Sequence, residues 1–510
     1  MVIPKSQQPV SERSAGLLLP VTSLPSAFGI GDLGPEARNF VDFLIRSRQK
    51  YWQILPLNPI EPGSGYSPYS TYSSMAGNTG LLSPELLVQD GLLKAAELAQ
   101  WRLPATSQVD YSGAAQVREK CFERAYRSFC QKPNPTLAAD FQEFCQQEAA
   151  WLDDFALYCG LKRTFNDTPW HQWPTEFRLR KPEALQAFSV QQADDLQPIK
   201  WLQFLFDRQW QQLRTYCHQS GIQLLGDLPF YVSYDSADVW AHPDIFGLDA
   251  NGQLNAVAGV PPDYFNAEGQ RWGMPVFRWN RLKERKYDWW VQRIRKNAKL
   301  FDLVRIDHFR ALSEYWEIPA EETTAIRGEW KPGPGHDFFR TLANELGELP
   351  FVAEDLGDIS EEVYQLRDAY GLPGMKVIQF AFHNDLPQSP HSPHNYTPNF
   401  IAYTGTHDNN TTRGWFRQDL SPADRKKVRH YAGKPVSERN VHLVLSQLVY
   451  ASVARTVILP VQDVLGLDET ARINTPAAAQ NNWLWRLLPE QLTEDAAHQL
   501  REWVTLYNRW

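Results

Sequence analysis

Short apolar runs that end in turn-forming or charged residues recur along the 510-residue chain, with helix-patterned stretches between them. This is the βαβ signature of a parallel sheet. Eight runs are legible, at 16–20, 51–57, 222–229, 303–308, 351–354, 375–380, 400–404 and 456–460. Eight parallel strands with helices between them predict an α/β fold closed as a (β/α)8 TIM barrel.

The spacing of the runs is uneven. The second ends at Leu57 and the third begins only at Ile222, and a second long gap separates Pro229 from Leu303. Helical periodicity at 112–130, 135–162 and 199–218 predicts a mainly helical insertion over 80–220. Residues 235–280 are rich in Gly, Pro, Asn and aromatics and predict a loop-rich insertion over 235–300. Long structured loops on a barrel shape its active-site face. Residues 1–510 then form a single catalytic domain, and 466–510 are too few for a C-terminal β-sandwich.

Composition and charge remove several classes. A 43% hydrophobic and 22% charged chain is ordinary for a globular protein. The net charge of −8 comes from interspersed acids and bases, without the basic stripe that nucleic acid requires. Residues 1–15 are polar, contain Pro4 and Pro9, and have no signal-peptide pattern. No apolar run is long enough to cross a bilayer, so no membrane partner is expected. Cys121, Cys130, Cys145, Cys159 and Cys217 show no Cys-x-x-Cys or metal-ligand spacing, and they predict reduced thiols in a cytoplasmic protein. The aromatic share of 13% suits a groove for the C–H faces of sugars, although most of these rings must serve the core.

A barrel puts its chemistry at the carboxyl ends of strands. The fourth run reads Val304-Arg305-Ile306-Asp307-His308, so Arg305 and Asp307 share one face. A guanidinium there favours the ionised form of Asp307, as a nucleophile needs, and a structural Arg–Asp pair is the bland alternative. The fifth run ends Glu354-Asp355, two carboxylates on opposite faces. Period alone does not choose which looks into the mouth; Glu354 has the longer reach, and the outward member reads as a helix N-terminal charge. The seventh run ends in the polar cluster Thr404-Gly405-Thr406-His407-Asp408-Asn409-Asn410-Thr411. Without further ligands at metal spacing, it fits hydrogen bonding to a polyol better than a metal. Carboxylates on three strand ends match a retaining glycosidase, which needs a nucleophile and an acid/base about 5–5.5 Å from it.

Together with Gly226-Asp227-Leu228-Pro229, these strings resemble the α-amylase clan. Longer strings resemble its amylomaltase branch, glycoside hydrolase family 77: Ser67-Pro68-Tyr69, Ala241-His242-Pro243, Gly259-Val260-Pro261-Pro262-Asp263-Tyr264-Phe265, Gly269-Gln270-Arg271-Trp272-Gly273 and Thr406-His407-Asp408-Asn409. The resemblance runs from about residue 16 to 488. It implies a 4-α-glucanotransferase with Asp307 as nucleophile, Glu354 as general acid/base and Asp408 as transition-state stabiliser. It also implies that Tyr69, Asp227, Arg305 and His407 surround the attacked sugar, with Ser67 and Asn474 among the binding residues and Tyr264, Phe265 and Trp272 over the donor and acceptor groove. Malto-oligosaccharides, amylose or glycogen-type α-glucans would be donor and acceptor, and no metal or organic cofactor is called for. The chain departs from the family pattern at Ile473 and Ala477, where methionine and glycine are expected. An α-glucan hydrolase of the same clan and a glucan-binding barrel without catalysis are the competing readings.

Overall fold

The structure, a computed structural model, describes residues 12–132, 134–262, 266–383, 385–478 and 480–510. Its organising element is an eight-stranded sheet of β1 (Ser14–Leu18), β2 (Tyr51–Gln53), β3 (Gln223–Leu228), β4 (Leu303–Ile306), β5 (Phe351–Ala353), β6 (Gly374–Val377), β7 (Phe400–Tyr403) and β8 (Thr456–Pro460). Every hydrogen-bonded pair is parallel, in the order β6-β7-β8-β1-β2-β3-β4-β5. Each predicted run overlaps one of these strands, and most strands stop before the polar carboxyl end of the run. Residues 307–308, 354 and 404 have already left the ladder for the mouth.

The seam between β5 and β6 is closed differently from the rest. The Ala353 N–H reaches the Pro373 carbonyl at 2.8 Å, and the next bond is made by a side chain, with Met375 N–H donating to Asp355 Oδ1 at 2.7 Å. A Cβ on Gly374 would lie 2.4 Å from Asp355 Oδ2, so glycine is required for the carboxylate to reach across. In β3, two strands from β5, a Cβ at Gly226 would meet the Phe301 ring at 2.2 Å. Strand β3 can lie against that ring only with glycine there, which fixes the level at which Asp227 follows.

Between β2 and β3 the chain is helical, including Tyr111–Gln131, Pro135–Gln147, Ala149–Thr164 and Ala193–Gln219. The stretch 135–162, continuous by periodicity, is two helices that meet at Glu148. The Glu148 carboxylate takes Lys296 and Lys299, each at 3.1 Å, and so pins the break to the barrel helix Asp288–Leu300. Helix Ala193–Gln219 grips the segment after β2 through its glutamines. Gln203 Oε1 accepts Gly77 N–H at 2.8 Å, and Gln209 Oε1 accepts Ser83 N–H at 2.8 Å.

The region expected to be loops also contains two strands. Ala256–Val260 and Gln270–Pro275 pair with Glu314–Pro319 and Glu329–Pro332 in a four-stranded antiparallel sheet, in the order 270–275, 256–260, 314–319, 329–332. Alternation did not reveal it because a bulge shifts the register between Val257 and Gly259, and Gly273 sits at φ 75°. Half of the sheet also comes from beyond β4. After β8 the described residues add helices and no further strand, and Arg509 closes the far end by donating to the Tyr450 and Ala454 carbonyls at 2.7 and 2.9 Å.

Candidate active site

Register sets the first pair. Asp227 on β3 lies directly beside Arg305 on β4, and Arg305 Nη1 donates to both carboxylate oxygens of Asp227 at 2.8 Å. With 4% and 0% of their side chains exposed, this is a rigid buried base for the site. The other guanidinium nitrogen, Nη2, lies 3.0 Å from Oδ1 of Asp307, whose side chain is 29% exposed to the mouth. Burial pushes the Asp307 carboxyl up to about 6; Arg305 opposes the shift, while Asp227 and Asp408 add to it. The Arg305–Asp307 pair expected from the sequence is formed, but burial and two neighbouring carboxylates outweigh its pull toward the ionised form.

The ambiguity at the end of β5 is resolved by backbone bonds. Glu354 turns toward Asp307, with Oε2 accepting the N–H of His308, one residue beyond Asp307, at 2.8 Å and Oε1 accepting Leu356 N–H at 3.0 Å. Burial raises its carboxyl to about 7, against Arg305 and both N–H donors and reinforced by Asp307. Of the two carboxyls, Glu354 therefore holds its proton to higher pH. Asp355 points away, to Met375 N–H and the Arg367 guanidinium, and is buried. It is a barrel-seam residue rather than the helix N-terminal charge expected for the outward member; the following helix begins only at Glu361.

A third group faces these from β7 and the loop after β2. The Tyr69 hydroxyl donates to Asp227 Oδ2 at 2.8 Å and meets His407 Nε2 at 2.8 Å. Because its proton goes to Asp227, it accepts from His407, which puts a proton on Nε2. The two rings stack at 5.2 Å and 16°. Nε2 also lies 3.3 Å from Asp408 Oδ2, and Asn474 Nδ2 donates to Asp408 Oδ1 at 2.7 Å. Burial by itself would raise the Asp408 carboxyl, but His407 and the Asn474 amide hold it well below the usual carboxylate range. Burial likewise opposes the charged His407, yet Asp408 raises its imidazole above the ordinary value.

Asp227, Arg305, Asp307, Glu354, Tyr69, His407, Asp408 and Asn474 are thus linked directly or through one backbone group. Ser67 stands one step back, accepting Tyr69 N–H at 3.3 Å in the turn that presents the tyrosine. Trp272 sets its ring edge-on to His308 at 4.8 Å, and burial lowers that imidazole to about 3, so it is neutral. Tyr264 and Phe265 lie outside the described residues. Among the described residues, no cluster of three or more His, Cys, Asp or Glu side chains has the arrangement of a metal site.

Sequence reasoning missed two parts of this site. Arg472 donates to the Asp408 carbonyl at 2.9 Å and to the Asn474 carbonyl at 2.8 Å, clamping one loop to the other. Trp483 lies 5.9 Å from the Tyr69 ring and 6.1 Å from the His407 ring. Both follow β8 in a stretch without periodicity, and only the concentration of Arg, Asn and Trp there marked it. The departure at Ala477 has a visible consequence, because its φ of 65° is the left-handed conformation that favours the expected glycine.

Known proteins resemble this chain over nearly its whole length. A family model described as 4-alpha-glucanotransferase matches residues 19–492. A 4-alpha-glucanotransferase of Synechocystis sp. is 44% identical over 503 residues, covering 98% of this chain and 99% of the relative. One from Thermus thermophilus is 42% identical over 496 residues, 96% and 97% of the two chains. Among solved structures, an amylomaltase from Streptococcus agalactiae in complex with acarbose matches with a TM-score of 0.93 at 38% identity, covering 98% of this chain and all of the other.

Proposed function

The chain belongs to the 4-alpha-glucanotransferase family, and from that premise we propose that Asp307 is the nucleophile, Glu354 the general acid and base, and Asp408 the stabiliser of an oxocarbenium-like transition state. Segments of α-1,4-glucan, from malto-oligosaccharides or longer chains, pass to the 4-hydroxyl of a second glucan or of glucose. Glu354 gives its proton to the glycosidic oxygen as the C1–O bond breaks, and the departing glucan leaves with a free 4-hydroxyl. An Asp307 oxygen attacks C1 from the opposite face, forming a β-linked glycosyl ester. Glu354, now a carboxylate, takes the proton of the acceptor 4-hydroxyl. The acceptor oxygen bonds to C1, the ester breaks, and two inversions restore the α link.

The observation that carries this reading is that Glu354 Oε2 is held at 2.8 Å on the backbone N–H next to Asp307. Burial raises both carboxyls, to about 7 and about 6, so the acid keeps its proton to higher pH than the nucleophile. Asp408, held low by His407 and Asn474, supplies fixed negative charge beside C1. Tyr69 and His407 offer a stacked polar wall to the sugar. Trp272 belongs to the acceptor side, where aromatic contact favours a sugar over water. Five unpaired cysteines support action in the cytoplasm.

The test is incubation of the purified protein with maltotriose. Glucose release with a ladder of longer oligosaccharides, absent in Asp307→Asn, is expected. Shorter sugars alone identify a hydrolase, and a fully active Asp307→Asn overturns the site.

A further inference from the structure

One buried carboxylate lies outside the mechanism. Asp463 sits on the short helix Val461–Val464 that follows β8, and it is 1% exposed. Its partners are two threonines, with Thr404 Oγ1 donating to Oδ2 at 2.5 Å, Thr412 Oγ1 donating to Oδ2 at 2.6 Å, and Thr412 N–H donating to Oδ1 at 2.7 Å. None of the groups that bear on it is cationic. A buried acid without a counter-charge is unfavourable unless hydrogen bonds replace water around it, and among the described residues these three do so.

The positions of the two threonines give the arrangement its meaning. Thr404 is the first residue after β7 and Thr412 opens the next helical turn, Thr412–Gly414. The segment between them, 405–411, carries His407 and Asp408. A single carboxylate on the neighbouring strand end therefore ties both feet of that loop together. Gln379, beyond β6, adds a strut from the other side, with Nε2 donating to the Asn410 carbonyl at 3.1 Å. Inside the loop, Asn409 Oδ1 accepts Thr406 N–H at 2.8 Å, and Thr406 Oγ1 accepts Asp408 N–H at 3.3 Å. The internal bonds shape the loop, and Asp463 sets where that shape stands relative to the barrel.

We infer that Asp463 is a positioning residue for catalysis, one that holds Asp408 and His407 at the height where they meet the reacting sugar. This rests on the reading of Asp408 given above. Asp463→Ala removes the shared acceptor of the Thr404 hydroxyl and of the Thr412 hydroxyl and N–H, leaving Thr412 only the Gln379 amide at 3.4 Å, and frees both feet of the loop. Asp463→Asn keeps most of the tie, since its carbonyl can accept Thr412 N–H while its amide donates to threonine hydroxyls that rotate to accept.

The experiment measures kcat and KM for maltotriose disproportionation in Asp463→Ala, Asp463→Asn, Asp408→Asn and wild type, scaled to native protein by near-UV circular dichroism. A sub-ångström to 1 Å displacement of the stabilising carboxylate is expected to lower kcat by about 100-fold, with KM changed less than about threefold because the lost interaction acts in the transition state. Asp463→Asn is expected to recover most of the loss. An Asp463→Ala protein with wild-type kcat per native molecule overturns the inference, as does a loss confined to KM or one that Asp463→Asn fails to relieve. A fully active Asp408→Asn instead overturns the reading of the site. If Asp463→Ala does not fold, Thr404→Val with Thr412→Val removes two of the three bonds, and the same kcat criterion applies.

Discussion

Asp355 accepts the backbone N–H of Met375 at 2.7 Å across the seam where β5 and β6 share no regular ladder, so the residue beside Glu354 holds the barrel shut. Adjacent acids should then fail in opposite ways. Asp355→Ala leaves the Met375 N–H buried without a partner and Arg367 with Asp368 as its remaining carboxylate, a loss of about 1–3 kcal/mol for the unsatisfied buried donor. A thermal scan should show a marked fall in the unfolding midpoint. Glu354→Ala, at a side chain open to the mouth where water can replace it on the His308 and Leu356 N–H groups, should change that midpoint less and abolish transfer.

Activity should follow a bell-shaped pH profile. Below about 6 Asp307, the proposed nucleophile, takes up a proton, and above about 7 Glu354, the proposed acid, loses the proton it would donate. The rate therefore rises through the lower value and falls through the upper one, both belonging to the coupled pair. A plot of log kcat/KM against pH with a flat alkaline side to pH 9 would contradict Glu354 as the acid.

Tyr69→Phe keeps the ring against His407 and removes the hydroxyl that joins Asp227 to His407. A hydrogen bond to a charged partner contributes about 1.5–3 kcal/mol. Steady-state kinetics should accordingly show kcat/KM for maltotriose lowered about tenfold or more, with the fold intact by circular dichroism.

Asn474→Ala takes the amide from Asp408 Oδ1. The Asp408 carboxyl, now held low by His407 without that donor, should titrate at a higher pH than in the wild type. Asp408 still titrates far below the acid limb set by Asp307, so that limb should stay in place while kcat falls. An unchanged kcat would separate Asn474 from Asp408.

Ala477→Gly is predicted to stabilise. An alanine at φ 65° carries about 1 kcal/mol of left-handed strain that glycine does not. Chemical denaturation should show a gain approaching that size, reduced by the greater freedom of glycine in the unfolded chain, with activity retained.

The eight strands were legible because a buried parallel strand imposes its own run of apolar residues, and Arg305 and Asp307 because a strand's period of two is strict. That period said only that Glu354 and Asp355 diverge. The choice between them lies in the His308 and Leu356 N–H groups and in a seam formed with residue 375, none of which a local pattern encodes. The small antiparallel sheet was illegible for a related reason, its strands being split across β4 and bulged at Val257. Arg472 and Trp483 act from a loop without periodicity, and Asp463 shows its use only once Thr404 and Thr412 are seen to meet on it.

Tyr69 and His407 touch although 338 residues separate them. A nascent chain that has completed β1 to β5 already holds Asp227, Arg305, Asp307 and Glu354 but lacks His407, Asp408 and Asn474, and its outer strands have open edges prone to mispairing. Such a half-made barrel has the proposed nucleophile and acid in hand and still lacks the proposed stabiliser. In refolding, helix signal should return well before transfer activity, since contacts this distant in sequence form slowly, and the return of activity would time the closing of the ring.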